Sequence, residues 1–176
     1  LLRHLGVEIL SHVIQIGSVR ASAPSRPGPG DLATVDASEV RCFDPSLAEE
    51  IVAEIKAAAK EGDSLGGVAE VLAYGLPVGI GSHVHWDRKL DGLLAQAFMS
   101  IQAIKGVELG DGFEVAGRRG SEAHDAIRWD DGSTAYRRDT TRAGGLEGGM
   151  TTGEVLVARL AEQARAVQMR YLEADG

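Results

Sequence analysis

Apolar positions divide the chain into segments of two different periods, and the periods predict its elements. Val7 to Ile16 (VEILSHVIQI) is dense in β-branched residues and reads as a strand; its alternation slips, which points to partial burial of both faces. Leu47, Ile51, Ile55 and Ala58 recur at helical spacing as one buried stripe. Asp44-Pro45 starts that helix, since Asp can cap it and Pro suits the first helical position, and Gly62 stops it after about four turns. Glu49 and Glu50 near its start, and Lys56 and Lys60 near its end, complement the helix dipole. Gly67 to Tyr74 (GVAEVLAY) reads as a second strand, ended by Gly75 and Pro77. Leu90, Leu93, Leu94, Ala97, Phe98 and Ile101 then follow the strongest helical period in the chain, which delivers a second helix to Gln102.

Towards the end, Glu154 to Leu160 suits a strand. A helix covering the whole tail is also allowed, because Leu156, Leu160, Ala164, Val167 and Tyr171 share a helical face. Residues 161–174 are helix formers without glycine or proline, and helix is predicted there. Ala21 to Gly30 holds three of the five prolines and reads as a connector inside one domain.

Between these periodic parts lies Ser100 to Gly153, which carries eleven of the 23 glycines interleaved with charged residues. That density predicts neither a continuous helix nor an ordinary strand. The clusters Gly110-Asp111-Gly112 and Gly144-Gly145-Leu146-Glu147-Gly148-Gly149 expose main chain, either to let backbones pack closely or to admit a flat or anionic ligand. Neither is followed by the Gly-Lys-Ser/Thr of a phosphate-binding loop, and neither sits in the strand–turn–helix setting of a dinucleotide fingerprint. Lys105, Arg118, Arg119, Arg128, Arg137, Arg138 and Arg142 make the region locally basic, which suits a phosphate-bearing ligand. Pairing of these arginines with Asp125, Asp130, Asp131 and Asp139 is the alternative.

Composition narrows the function classes. A net charge of −8 and a pI near 5.1 argue against a nucleic-acid binder or a polybasic membrane-surface protein. No apolar run approaches the roughly 20 residues of a spanning helix. The single Cys42 forms no internal disulfide, zinc spacing or redox pair, so the cytoplasm is the expected compartment. His83 and His85 would share a strand face but lack a third ligand, so no metal site is expected. His124 beside Asp125 could be an oriented base, although adjacent residues rarely face each other. Ser121, Ser133, Thr140 and Thr141 have no nucleophile-elbow setting.

Three motifs in order, KGVELGDGF (Lys105–Phe113), RRGSEAHD (Arg118–Asp125) and RAGGLEGGMTTG (Arg142–Gly153), closely resemble the middle of bacterial chorismate synthases. GLPVGIGSHVHWDRKLD (Gly75–Asp91) extends the likeness, and LGVEILSHVIQIG (Leu5–Gly17) carries it back more weakly, to cover residues 1–160. The resemblance implies an α+β fold, a chorismate-synthase-like layered sandwich of helices and antiparallel sheets, here incomplete. Residues 1–160 would be its central part and 161–176 a divergent helical tail. The implied activity is anti-1,4 elimination of phosphate from 5-enolpyruvylshikimate-3-phosphate, with reduced FMN as cofactor and no net redox change. The implied substrate is a phosphorylated small molecule and the implied assembly a homotetramer, with neither nucleic acid nor membrane as partner.

Carried over by motif, the flavin-binding residues of the resemblance are Gln102, Ala103 and Gly148. The family's G-x-SHG motif, its second histidine and its substrate-binding arginines would all precede Leu1. Its Lys-Pro-x-Ser/Thr motif is replaced after Leu160 by AEQARAVQMRYLEADG, and its Arg-Ser-Asp motif is missing. Thr141 stands where the family usually has Asn. No catalytic residue is therefore expected in this chain, and FMN binding should be weak or absent. The first residue, Leu rather than Met, also points to an internal piece or a processed chain. The alternative function is a non-catalytic remnant or interaction module that keeps only the scaffold.

Overall fold

The computed structural model describes residues 1–22, 25–133 and 135–164. In chain order the elements are β1 (Glu8–Ile16), β2 (Val19–Arg20), α1 (Leu32–Ala37), α2 (Pro45–Glu61), β3 (Gly67–Tyr74), α3 (Leu90–Met99), β4 (Ile104–Leu109), α4 (Gly120–Ala123), β5 (Ile127–Asp130), β6 (Ala135–Arg138), β7 (Leu146–Glu147), β8 (Met150–Thr151) and β9 (Leu156–Glu162). One five-stranded sheet has the order β2-β1-β3-β9-β4, and two antiparallel two-stranded ribbons pair β5 with β6 and β7 with β8. The α+β expectation holds: helices accompany antiparallel strand pairs, β1 with β2, β5 with β6 and β7 with β8.

β9 is the last of the described strands in sequence but lies inside the sheet, and its residues show why. Leu156 to Leu160 are buried without interruption, Arg159 included, as expected of a strand covered on both faces. Of the two readings of this segment, the strand is the one found. Ala161 and Glu162, placed in the predicted tail helix, complete β9, and 165–174 lie outside the described residues. β4 is a second difference, because a six-residue strand runs through Gly106 in the stretch expected to be too glycine-rich for one. Ile104, Val107 and Leu109 supply enough apolar surface for an edge strand, where one glycine is tolerable.

The chain divides into two compact units, which interleave in sequence. The first comprises residues 1–9, 71–98 and 107–159. Its core is Ala73, Leu146, Leu156 and Ala158, with Leu90, Leu94 and Phe98 of α3 packed against it. α3 stops at Met99, before the predicted Gln102, and Leu93 and Ile101 of the periodic stripe are about half exposed, at 46% and 50%.

The second unit comprises residues 10–70, 99–106 and 160–176. Its core gathers Cys42, Leu47 and Ile51 with Val13, Ile16 and Val19. Asp44 caps α2 as the sequence predicts: its Oδ1 accepts from the Ser46 and Leu47 N–H groups, and Gly62 closes the other end at φ 70°. The buried stripe is shorter than its pattern, since Ile51 is fully buried while Ile55 is 37% exposed. Glu70 on β3 is fully buried, accepting from Arg26 Nε at 3.3 Å and lying 3.3 Å from His12 Nε2 on β1.

The uneven stripe of α2 yields a measurable contrast. Ile51→Ala should cost about 2–5 kcal/mol in urea denaturation, and Ile55→Ala about 1 kcal/mol or less. Equal losses would mean that the helix is buried along its whole length.

Candidate functional site

The first compact unit is organised where its two glycine clusters meet. A Cβ on Gly110 would lie 2.1 Å from the Arg142 carbonyl oxygen, and one on Gly144 would lie 2.3 Å from the Gly110 nitrogen. Both sites therefore require the absence of a side chain. Gly110 N–H donates to Val157 O at 2.9 Å, Val157 N–H returns to Gly144 O at 3.1 Å, and Asp111 N–H donates to Arg142 O at 2.8 Å. The packing explanation of the glycines is thus realised at these positions, and also at Gly145, whose Cβ would meet Val155 O at 2.5 Å.

Gly148 is different. Leu146 pairs with Thr151 and Glu147 with Met150, which leaves Gly148-Gly149 as the two-residue turn between β7 and β8. Their φ values of 60° and 87° match the double positive-φ turn that such a tight ribbon prefers. Gly149 is fixed by sterics as well, since its Cβ would lie 2.6 Å from Ser82 O. A Cβ on Gly148 would meet nothing within 4 Å. Of this run, Gly148 is the glycine whose bare side opens onto free space, and it is the one that the motif carry-over selected.

Gln102 and Ala103 belong to the second unit. Ile104 N–H donates to Ile101 O at 3.3 Å, closing a turn with Gln102 and Ala103 at its centre. Ala103 has φ 69°, a left-handed conformation that costs an L-residue about 1–2 kcal/mol. Its carbonyl accepts from Gln163 N–H at 2.9 Å. The turn is therefore held in a strained shape at a residue where glycine would be the relaxed choice. Gln102 is exposed beside it.

Asp125, read from the sequence as a partner of His124 or of the arginines, is instead a structural anchor. It is buried, and its oxygens do not face His124, which is exposed. Oδ1 accepts from Thr140 Oγ1 and from Arg142 N–H at 2.8 Å, and Oδ2 accepts from Ala143 N–H at 2.9 Å. Burial alone would raise its pKa, but those three hydrogen bonds and the charge of Arg138 together hold the carboxyl below its ordinary value. Asp125 thus anchors the segment that leads into Gly144. The signal in the sequence was only a lone Asp fifteen residues before a Thr-Thr-Arg-Ala run, which no local rule connects.

The local basicity is largely neutralised from within. Arg118 pairs with Asp111 and Glu114, Arg128 and Arg137 both pair with Asp139, and Arg138 pairs with Glu147. The pairing alternative prevails for these four, with Asp111, Glu114 and Glu147 as partners in addition to the expected Asp139. His83 and His85 are exposed, and among the described residues no three ligating side chains cluster as a metal site would require. No helix among the described residues is long and apolar enough to cross a membrane.

Comparison with known proteins adds to this geometry. A family model described as chorismate synthase matches residues 1–172. The chain is 60% identical to a chorismate synthase of Saccharopolyspora erythraea over 90% of its own length and 40% of that protein's. It is 58% identical to one of Acidothermus cellulolyticus over 96% of this chain and 42% of that protein. A solved chorismate synthase structure superposes with a TM-score of 0.84 at 43% identity, covering 93% of this chain and 51% of that one. The chain therefore spans about two fifths of the length of these curated relatives.

Two outcomes follow from the site. Gly148→Asn should destabilise the protein less than Gly149→Asn, since Asn tolerates positive φ and only the second Cβ collides; thermal melts decide it, and the reverse order would refute the open side of Gly148. Asp125 has a depressed folded-state pKa, so its stabilisation is complete above the unfolded value of about 3.9 and is lost as pH falls through the folded one. Asp125→Asn should therefore lower the urea midpoint most at neutral pH, with the gap to wild type closing in acid.

Proposed function

The chain belongs to the chorismate synthase family, and on that premise we propose that it is the central part of a lyase that forms chorismate by anti-1,4 elimination of phosphate from 5-enolpyruvylshikimate-3-phosphate. The observation that carries the reading is identity of 58–60% to chorismate synthases over nine tenths or more of this chain. The reaction belongs to the shikimate route to aromatic amino acids, and a cytoplasmic homotetramer is the assembly proposed with it. Residues 1–160 are proposed as the central part of the family's domain and 161–176 as a divergent tail, whose first two residues, Ala161 and Glu162, complete β9.

Reduced FMN, when bound, supplies the electronic chemistry of the elimination, while the protein supplies orientation and electrostatics. The residues proposed to contact it are Gly148 in the first unit and, taken separately, Gln102 and Ala103 in the second. Gly148 offers a turn without a side chain on its open side, so a flat ring system can reach main chain there. Ala103 fixes the strained turn, and Gln102 beside it carries an amide that can both donate and accept. The fit to a flat, backbone-contacting cofactor rests on these features, and the paired arginines leave the phosphate to other groups.

No part of this chain resembles the family's G-x-SHG, Lys-Pro or Arg-Ser-Asp motifs, which implies that the acid–base groups are not among its 176 residues. Given reduced FMN and substrate under anaerobic conditions, this polypeptide should form no chorismate above a no-protein control. Turnover would overturn that assignment and require a proton donor within the chain. The family's serine–arginine and Lys-Pro flavin motifs have no counterpart in this chain, and without two charge-assisted hydrogen bonds of about 1.5–3 kcal/mol each flavin binding weakens by about two to four orders of magnitude. Flavin-fluorescence titration should therefore show weak binding, reduced further by Gly148→Val. Tight binding, or equal binding by a variant that retains its wild-type circular dichroism, would remove Gly148 from the site.

A further inference from the structure

The second compact unit contains a cavity of about 450 Å³ between α1 and α2 that has no part in the proposed elimination. Val40, Phe43, Ala48 and Val52 give it apolar walls, and the buried Cys42 also lines it. Its size is within the roughly 300–1,000 Å³ of small-molecule sites. The walls are formed by a short loop fixed at several points. Cys42 N–H donates to Ser38 Oγ at 3.1 Å, Arg41 N–H to Ser38 O at 3.1 Å, and Val13 N–H to Arg41 O at 2.9 Å. Phe43 stands edge-on to His12 with ring centroids 6.5 Å apart, and α2 presents Ala48 and Val52 from a helix capped by Asp44. The loop that forms these walls is thus held by its own hydrogen bonds.

Its charge is one-sided. Glu39 and Glu49 line it, both exposed, and no cationic residue does. The nearby Arg41 is engaged by Asp36 and Ser11 O. An anion would meet two carboxylates at this site, whereas a cation would meet two acceptors at the edge of an apolar space.

We propose that this cavity binds a small amphipathic cation, with an aromatic or branched aliphatic body seated against Val40, Phe43 and Val52 and one ammonium group held by Glu39 and Glu49. Cys42 is not a nucleophile in this scheme. Burial pushes its thiol pKa up, and its Sγ–H donates to Asp44 O at 3.4 Å. As the one cysteine of the chain, it is instead a built-in reporter of occupancy.

The test measures the rate of Cys42 alkylation by iodoacetamide in mildly alkaline solution, with phenethylammonium, 3-phenylpropionate or no addition. Phenethylammonium at ten times its dissociation constant should slow alkylation about tenfold. The isosteric anion should leave the rate unchanged. Glu39→Gln with Glu49→Gln, both surface changes that leave the walls intact, should weaken protection by the cation about fivefold. Absence of protection, equal protection by the anion, or full protection in the double variant would each overturn the proposal. Protection that rises with protein concentration alone would assign the cavity to a second copy of the chain instead.

Discussion

The close passage of Gly110 against Gly144 is the constraint on which the first compact unit depends. Two backbones that approach within contact distance admit no side chain on either side, and both are hydrogen-bonded to Val157 of β9. Because Val157 accepts from Gly110 and donates to Gly144, β9 serves as the template for both clusters. Any Cβ at the crossing would displace main chain, which has no rotamer into which to retreat. Asp125 completes the arrangement from a third point, with a carboxylate that satisfies two backbone N–H groups and a threonine hydroxyl.

This crossing separates glycines that serve the fold from the one that faces outward. The Cβ positions of Gly110, Gly144, Gly145 and Gly149 are occupied by neighbouring backbone, so these glycines serve the packing that positions the β7–β8 ribbon. Gly148, at the tip of that ribbon, inherits a fixed position and an open side. The arginines of the glycine-rich region face the same division. Four of them pair with the region's own carboxylates, which offsets most of the positive charge that the sequence offers a phosphate.

The second unit meets a different physical problem, the burial of charge. Glu70 has no solvent exposure, and its Oε1 is held by Arg26 on one side and lies beside the nearly buried His12 on the other. Such an ionic group contributes little net stability when intact, because desolvation consumes most of the attraction, but removing one partner leaves an uncompensated charge. It therefore specifies which strands and loops belong together more than it holds them there. In the same unit, the strained turn at Ala103 is stabilised by its carbonyl bond to Gln163 rather than by its own conformational preference.

Local rules sufficed wherever a residue acts on its near neighbours. Asp44, Pro45 and Gly62 bounded α2 because capping and left-handed termination involve only a few successive residues, and the limits of β3 were legible for the same reason. The three motifs also identified the family, and in the two glycine-rich ones the residue types are set by backbone geometry that few sequences satisfy. What the sequence could not decide was everything that depends on a distant partner. The exposure of Ile55 and the burial of Leu156 to Leu160 depend on which elements cover them, not on their period. Asp125 reads as half of a His-Asp pair until the fold brings Thr140, Arg142 and Ala143 to its oxygens. Gly148 and Gly149 are the same residue in sequence, and only the presence of Ser82 beside one and empty space beside the other makes them different.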